Sequence, residues 1–372
     1  MFSTITSGSI LGITSILTQV EVDTAKTMPG FDMVGMLSSE VREAKERVRV
    51  ALRNCGLQLP PVHITVNISP ADLRKEGTAY DLPIAVGIMV SLGRVSQASV
   101  QNICMIGELG LNGELKAVKG VLPIVKAAKE NGLTCCILPQ ENAAEGGVIQ
   151  GIDVIGAKDF LQVLTYLCNK QESNLQPVHI PIDTLFENEK KQEEDFAEII
   201  GQEGCKRAAL IAAAGFHHIL ISGPPGAGKT MIARRIPGIL PPLSFEESLE
   251  VSAIYSVAGM LDERKNLITR RPFLAPHHTI TPKAFAGGGA YPRPGVLSLV
   301  HRGVLFLDEL PEFKRECIEI MRQPLEDKKI QISRSHGVYT YPADFMLVAA
   351  QNPCPCGYYP DRTRCRCSEK EV

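Results

Sequence analysis

The spacing of hydrophobic residues along the chain alternates between the periods of strands and helices. Short apolar runs predict buried strands, and apolar residues three or four positions apart predict helices. The elements predicted in the first part are the strand ITVNIS (64–69), the apolar helix DLPIAVGIMVSL (81–92), the hairpin ICMIGELGLNGELKAV (103–118) turning at Asn112-Gly113, the helix VLPIVKAAKENG (121–132) and the strand TCCILP after it. This succession predicts an α/β domain over residues 1–168.

A change of composition follows. The stretch NKQESNLQPVHIPIDTLFENEKKQEED, residues 169–195, is polar, charged and proline-bearing. It predicts a linker, which we place at residues 169–192. The pattern then predicts a helix over FAEIIGQEGCKRAALIAAAG and an apolar strand over residues 218–222. A second domain is therefore expected from residue 193 to residue 372.

The segment GPPGAGKT, directly after that strand and before a helical pattern, matches G-x-x-x-x-G-K-[ST]. Such loops turn backbone N–H groups toward phosphate oxygens, and a lysine neutralises phosphate charge. The alternative is a glycine- and proline-rich turn that matches by chance, which the flanking strand and helix disfavour. The predicted nucleotide-binding residues are Gly223, Pro224, Pro225, Gly226, Ala227, Gly228, Lys229 and Thr230.

Two further apolar strands end in polar side chains. VLFLDEL (304–310) delivers Asp308 and Glu309, and DFMLVAAQN (344–352) ends at Asn352. Unpaired carboxylates at the end of a buried strand are costly as packing, so a function is expected. We assign Thr230 and Asp308 to Mg²⁺, and we predict that Glu309 polarises the attacking water and that Asn352 orients it. The layout is typical of a parallel α/β nucleotide site with Lys229, Glu309 and Asn352 as catalytic residues.

The C-terminal stretch contains two C-x-C pairs, Cys354 with Cys356 and Cys365 with Cys367. Four thiolates can close a tetrahedral shell, so the pairs predict a structural Zn²⁺ site. Two disulfides or unpaired thiols are the alternatives, and a reducing cytoplasm disfavours the first. Three arginines at positions 362, 364 and 366 can lower thiolate pKa values, contact phosphate, or do both. The pair His277-His278 is expected to diverge rather than form a metal site.

Composition limits the broad class. The 372 residues are 44% hydrophobic and 22% charged with a net charge of −2, so any nucleic-acid contact must come from local patches. No apolar run reaches the roughly 20 residues of a membrane helix, and the N-terminus lacks the basic start of a signal peptide. Eleven cysteines, mostly scattered, favour a reduced cytoplasmic protein without a membrane partner.

GPPGAGKT, FLDELPEF and AAQNPCPCG resemble the AAA+ module of the ComM/YifB family of magnesium-chelatase-like ATPases, and so does the long segment RPFLAPHHTITPKAFAGGGAYPRPGVLSLVHRGVLFLDELPEF. The resemblance implies a Lon-protease-like N-terminal domain and an AAA+ core with an insert at 240–302 and a β-hairpin at 330–345. It also implies use of ATP and Mg²⁺, a hexameric ring, and single-stranded or branched DNA as partner in helicase or branch-migration activity. Lys328, Lys329 and Arg334 of the hairpin are candidate DNA contacts, with a solvated hairpin as the alternative.

The resemblance also sets expectations about what is lacking. The segment similar to the Lon nucleophile loop, EGTAYDLPIA, has no serine, and Val121 and Leu122 fall where the lysine base is expected, so a non-catalytic domain is predicted. The resemblance places the family's trans-acting arginine and lid domain beyond the cysteines, so a truncated chain that binds ATP weakly and hydrolyses it poorly or not at all is expected. A chelatase-type ATPase subunit and a non-hydrolysing assembly module are the alternatives.

Overall fold

A computed structural model describes residues 1–187, 195–261, 266–289, 292–334 and 337–369. Parts of three predicted segments lie outside the described residues: 188–192 of the linker, 262–265 and 290–291 of the insert, and 335–336 of the hairpin. The chain divides into two compact units, each described separately below. Unit 1 comprises residues 1–182 and 256–267, and unit 2 comprises residues 183–255 and 268–372.

Unit 1 is built on a seven-stranded mixed sheet with the order β3-β4-β2-β1-β5-β8-β9. The strands of its main segment are β1 Phe2–Leu11, β2 Thr14–Ala25, β3 Gly30–Val34, β4 His63–Ser69, β5 Ile103–Met105, β6 Glu108–Leu109, β7 Leu115–Lys116, β8 Cys135–Pro139 and β9 Asp153–Ala157. The helices are α1 Ser39–Asn54, α2 Asp81–Ser91, α3 Val121–Glu130, α4 Ala143–Gly146 and α5 Phe160–Cys168. β1 pairs antiparallel with β2 and parallel with β5, so it joins the two halves of the sheet.

The core of unit 1 follows the hydrophobic pattern closely. α2 is apolar around its whole circumference and buried along its length, which is the behaviour expected of an internal helix. Its first residue, Asp81, accepts two hydrogen bonds from the guanidinium of Arg47 in α1, at 2.7 and 2.8 Å. Burial raises the pKa of Asp81, and the bond from Arg47 opposes that shift. The pair supplies the partner that a buried carboxylate requires.

Unit 1 also contains residues from a distant part of the sequence. Residues 256–267, which the sequence places in the predicted insert, cluster with unit 1. The Oγ of Ser256 lies 2.5 Å from Oε1 of Glu145, and Gly120 donates its backbone N–H to the carbonyl of Ser256 at 3.1 Å. The predicted boundaries of domain, linker and insert stay predictions.

Unit 2 is built on a parallel four-stranded sheet with the order β10-β17-β14-β11. The strands of the second half of the chain are β10 Ile219–Ser222, β11 Phe273–Leu274, β12 Gly287–Gly288, β13 Arg293–Pro294, β14 Val304–Leu307, β15 Lys329–Arg334, β16 Gly337–Pro342 and β17 Met346–Gln351. The helices are α6 Ile182–Glu187, α7 Glu203–Gly215, α8 Lys229–Ile239, α9 Phe245–Ala258, α10 Pro282–Ala286, α11 Val296–Leu299, α12 Arg315–Ile320 and α13 Arg322–Asp327. All four residues of β14 are buried, as expected for a parallel strand that packs on both faces.

The structure confirms the α/β fold class and the parallel sheet, and it corrects two elements. The helix predicted over FAEIIGQEGCKRAALIAAAG begins only at Glu203, because Gly201 and Gln202 have φ angles of +70° and +58°, outside the helical region. The hairpin predicted over 103–118 is shorter than expected. Its strands are β6 and β7, while β5 joins the large sheet.

Candidate active site

The turn between β10 and α8 lets a ligand approach the backbone closely. Gly226 and Gly228 have φ angles of +77° and +83°, which glycine adopts without a steric cost. A Cβ atom added to either residue would meet no heavy atom of the described structure within 4 Å, so the adjacent space is open. α8 begins at Lys229, directly after the turn. Unpaired N–H groups at a helix N-terminus favour an anion such as phosphate. The eight residues of the predicted loop, 223–230, all lie in this turn and the first residues of α8.

Lys229 is held by three acceptors of unit 2. Its Nζ donates to the carbonyls of Gly223 at 2.7 Å and Pro224 at 3.1 Å, and to Oδ1 of Asn352 at 2.9 Å. Asn352 follows β17, which pairs with β10 through Ser222 and Gln351. An ammonium group has three N–H donors, so each has a partner here.

Thr230 and Asp308 also lie together. The Oγ1 of Thr230 donates to Oδ2 of Asp308 at 2.9 Å, and Oδ1 of Asp308 accepts from the backbone N–H of Glu309 at 3.0 Å. A hydroxyl beside a carboxylate is a donor set that Mg²⁺ prefers. The structure thus places side chains from α8, from the end of β14 and from the end of β17 at one edge of the sheet.

Glu309 occupies an unusual backbone position next to a histidine. Its φ of +54° lies in the left-handed region, which is uncommon for residues other than glycine. Its side chain is 59% exposed, and its Oε2 lies 3.9 Å from Nδ1 of His278. The ring of His278 also packs edge-on against Phe313, with centroids 6.4 Å apart.

His278 is not among the site residues that the sequence predicts. A signal was available, because the short apolar pair Phe273-Leu274 precedes the two histidines by only a few residues. β11 pairs in parallel with β14, so the chain leaving β11 emerges at the same sheet edge as Asp308. The rule that found Asp308 and Asn352, a polar side chain after an apolar strand, applies to His278 as well.

The four C-terminal cysteines converge on one point. Their sulfur atoms all lie within 4.8 Å of one another, and three of the separations are 3.4, 3.6 and 3.7 Å. Zn–S bonds of about 2.3 Å in tetrahedral geometry place neighbouring sulfurs about 3.8 Å apart. The thiols are free, so the disulfide alternative is not adopted here. The donor set and its spacing fit a structural metal ion.

The surrounding loop lowers the pKa of one of these thiols through its backbone. N–H groups of Tyr358 and Arg366 lower the pKa of the Cys356 thiol to about 6. The guanidinium groups of Arg362 and Arg364 instead lie over the rings of Tyr359 and Tyr358, at 5.4 and 6.0 Å from the centroids. The backbone, rather than the arginine charge, is therefore the leading cause of this shift.

β15 and β16 form the predicted hairpin. Ile330 and Ile332 of β15 are buried, while Lys329 and the other alternate residues are exposed. Lys328 forms an ion pair with Asp344 at 3.4 Å, and Nε of Arg334 donates to the carbonyl of Gly289 at 3.1 Å. Of the three basic candidates, Lys328 and Arg334 thus have partners within unit 2.

Comparisons with known proteins cover nearly the whole chain. The family model "Magnesium chelatase, subunit ChlI" matches residues 195–372, and "Subunit ChlI of Mg-chelatase" matches residues 20–142. The Competence protein ComM of Haemophilus influenzae is 41% identical over 355 residues, covering 95% of this chain and 69% of that protein. The Uncharacterized protein YifB of Escherichia coli is 42% identical over 349 residues, covering 94% and 67%. The chain belongs to the ComM/YifB family of magnesium-chelatase-like proteins.

More distant relatives match parts of this ComM/YifB family member. Lon protease 2 of Bacillus subtilis is 29% identical over 187 residues, 48% of this chain and 33% of that protein. The Magnesium-chelatase 38 kDa subunit of Cereibacter sphaeroides is 23% identical over 174 residues, 42% of this chain and 52% of that subunit. Membership in this AAA+ family indicates an ATPase that uses ATP and Mg²⁺. Within the described residues, no helix is long and apolar enough to span a membrane.

Proposed function

We propose that this chain hydrolyses ATP with Mg²⁺ to drive a DNA-remodelling motor of the ComM type. The observation that carries the proposal is the pair of contacts Lys229–Asn352 and Thr230–Asp308, at 2.9 Å each. These contacts bring the phosphate loop, the acidic strand end and the polar strand end to one edge of a parallel sheet, where α/β proteins bind nucleotides.

Each residue of the site has a distinct role in the proposal. Lys229 exchanges its carbonyl partners for phosphate oxygens, and the N–H groups of the Gly223–Thr230 turn bind the same phosphates. Thr230 and Asp308 would hold Mg²⁺, which would neutralise developing phosphate charge. Glu309 accepts the proton of the attacking water, and Asn352 orients that water from its amide.

DNA is the proposed partner. The name of the Haemophilus influenzae relative connects the family with competence, and the exposed face of β15 presents Lys329. The proposed substrate is single-stranded or branched DNA, and the proposed activity is that of a helicase or of branch migration. We further propose that the protein forms a hexameric ring and is located in the cytoplasm. The arginines beside the cysteine cluster provide a second basic patch for phosphate contact.

Zn²⁺ is the proposed occupant of the four-cysteine cluster. Soft thiolate ligands select Zn²⁺ over Mg²⁺, and closed four-sulfur shells are structural rather than catalytic. Cys354, Cys356, Cys365 and Cys367 would hold the ion.

The test is ATP turnover by the purified chain, with and without branched DNA. We expect slow turnover that DNA increases, and we expect Glu309→Gln to lower kcat by about 10²–10⁴ while nucleotide binding persists. Glu312→Gln, which makes the same charge change three residues away, is the control and should leave kcat unchanged. Equal turnover by wild type and Glu309→Gln would refute the assigned base. If DNA does not change the rate of turnover and the protein does not bind DNA at low salt, the proposed DNA-remodelling role is wrong and only the ATPase remains.

A further inference from the structure

The segment from Gln351 to Gly357, which contains the first cysteine pair, contacts the phosphate loop at three points. The backbone N–H of Gly223 donates to the carbonyl of Gln351 at 3.3 Å. Lys229 donates to Oδ1 of Asn352 at 2.9 Å. The third contact involves Gly357, which follows the first cysteine pair. The residues that flank the first cysteine pair are therefore in direct contact with the phosphate loop within unit 2.

Gly357 packs directly against Pro225. A Cβ atom added to Gly357 would lie 2.5 Å from Cδ and 3.0 Å from Cγ of Pro225. Its φ of +81° also lies in the left-handed region, where side chains are strained. Only glycine allows both the close approach to Pro225 and this backbone angle. Because the two residues touch, the position of Gly357 limits how far Pro225 can move.

The cysteines determine where Gly357 lies. It follows Cys356 directly, its backbone N–H donates to the carbonyl of Cys354 at 2.8 Å, and the chain returns to the cluster nine residues after Cys356, at Cys365. A metal ion that binds all four sulfurs closes this loop, and such ions supply much of the free energy that orders small cysteine loops. In the absence of the ion, the loop would lack this constraint on the position of Gly357.

We propose that the four-cysteine cluster is a metal-dependent clamp on the phosphate loop, so that Zn²⁺ loading sets the affinity of the chain for nucleotide. This inference rests on the proposed nucleotide site and extends it with a regulatory metal. The clamp acts through position alone: it preorganises backbone N–H groups that bind phosphate, and the cysteines do not touch the nucleotide. Cys354, Cys356, Cys365 and Cys367 are accordingly positioning residues.

The experiment measures nucleotide affinity and zinc content on the same samples. A fluorescent ATP analogue with Mg²⁺ is titrated into wild-type protein as zinc-loaded, stripped with a zinc-selective chelator, and reloaded with Zn²⁺. Zinc per chain is measured by elemental mass spectrometry. We expect one zinc per loaded chain, at least tenfold weaker nucleotide binding after stripping, and full recovery on reloading.

Two variants separate metal binding from the contact with Pro225. Cys356→Ser should lose zinc and weaken nucleotide binding, whereas Cys168→Ser, at an exposed cysteine of unit 1, should change neither. Gly357→Ala should keep zinc and still weaken nucleotide binding at least fivefold. Gly201→Ala is its matched control, because Gly201 has a φ of +70° and an added Cβ there meets no atom within 4 Å. Circular dichroism establishes that each variant is folded.

Several outcomes would overturn the clamp. Stripped and loaded protein that bind nucleotide equally would show that the metal has no influence on the phosphate loop. Gly357→Ala with wild-type affinity would exclude the Pro225 contact as the route. Absence of zinc from the wild type together with tight nucleotide binding would refute the metal clamp and leave the proposed nucleotide site standing. Loaded protein that binds no nucleotide would refute both the proposed function and the clamp.

Discussion

Lys229 links the phosphate loop to the neighbouring strand. Its three bonds to Gly223, Pro224 and Asn352 occupy the donors that phosphate would use. Nucleotide must therefore compete with protein acceptors for the same ammonium group. A neutral amide at position 352 keeps this competition weak, because bonds between an ammonium and a neutral oxygen are weaker than bonds to a carboxylate.

Asn352→Asp tests this competition. A carboxylate at position 352 would form an ion pair with Lys229 and add negative charge beside the phosphates, so we expect nucleotide affinity to fall at least tenfold, about 1.4 kcal/mol. Asn352→Ala is the control for loss of the amide; it releases one lysine donor and should affect binding less. Affinities are measured by titration with the fluorescent ATP analogue. Equal affinities for the two variants would show that Lys229 does not exchange Asn352 for phosphate.

The site residues that could be predicted are those marked by a local sequence pattern. Asp308, Glu309 and Asn352 were predicted because each follows an apolar strand that its own sequence marks. His278 was missed because β11 has only two residues, too few for the pattern to stand out. The contact between Gly357 and Pro225 was also missed, since no local rule relates a cysteine loop to a turn more than a hundred residues earlier.

At the scale of elements, the positions of strands and helices along the chain were easier to predict than the order in which the strands pair. β4, α2, α3, β8, β10, α8, β14 and β17 all lie where the hydrophobic pattern predicts them. Sheet order was not predictable, because β1, which forms a local antiparallel pair with β2, also pairs with β5 about a hundred residues further along the chain. The late start of α7, at Glu203, came from the backbone angles of Gly201 and Gln202, which apolar periodicity does not record.

The hairpin β15–β16 is the element for which a DNA prediction can be made. Lys329 is exposed on the polar face of β15, whereas Lys328 and Arg334 already have protein partners. We therefore expect Lys329→Ala to lower affinity for single-stranded DNA and to reduce the magnitude of the salt slope by about one. Binding is measured by fluorescence anisotropy over a series of salt concentrations.

The control for the hairpin is Lys26→Ala, which removes an exposed lysine from unit 1. An equal loss of DNA affinity in both variants would indicate a diffuse charge effect rather than contact by the hairpin. An unchanged salt slope for Lys329→Ala would place the DNA contact elsewhere.

At the scale of the whole molecule, each unit has its own hydrophobic core. The core of unit 1 is centred on the seven-stranded sheet and α2, and the core of unit 2 on β10, β14, β17, α7 and α8. The proposed nucleotide site lies entirely within unit 2. Regions with separate cores can open independently, so a ligand protects most strongly the structure that it contacts.

Hydrogen exchange with and without ATP and Mg²⁺ tests this assignment over the whole chain. A ligand at 100 times its Kd stabilises the bound state by about 2.7 kcal/mol, so amide exchange should slow in residues 219–232, 304–309 and 346–352. The sheet strands β1–β5, β8 and β9 should exchange at the same rate with and without nucleotide. Lys229→Ala, incubated with the same nucleotide, is the control and should show little added protection. Protection confined to unit 1, or equal protection in Lys229→Ala, would mean that nucleotide binds somewhere other than the loop between β10 and α8.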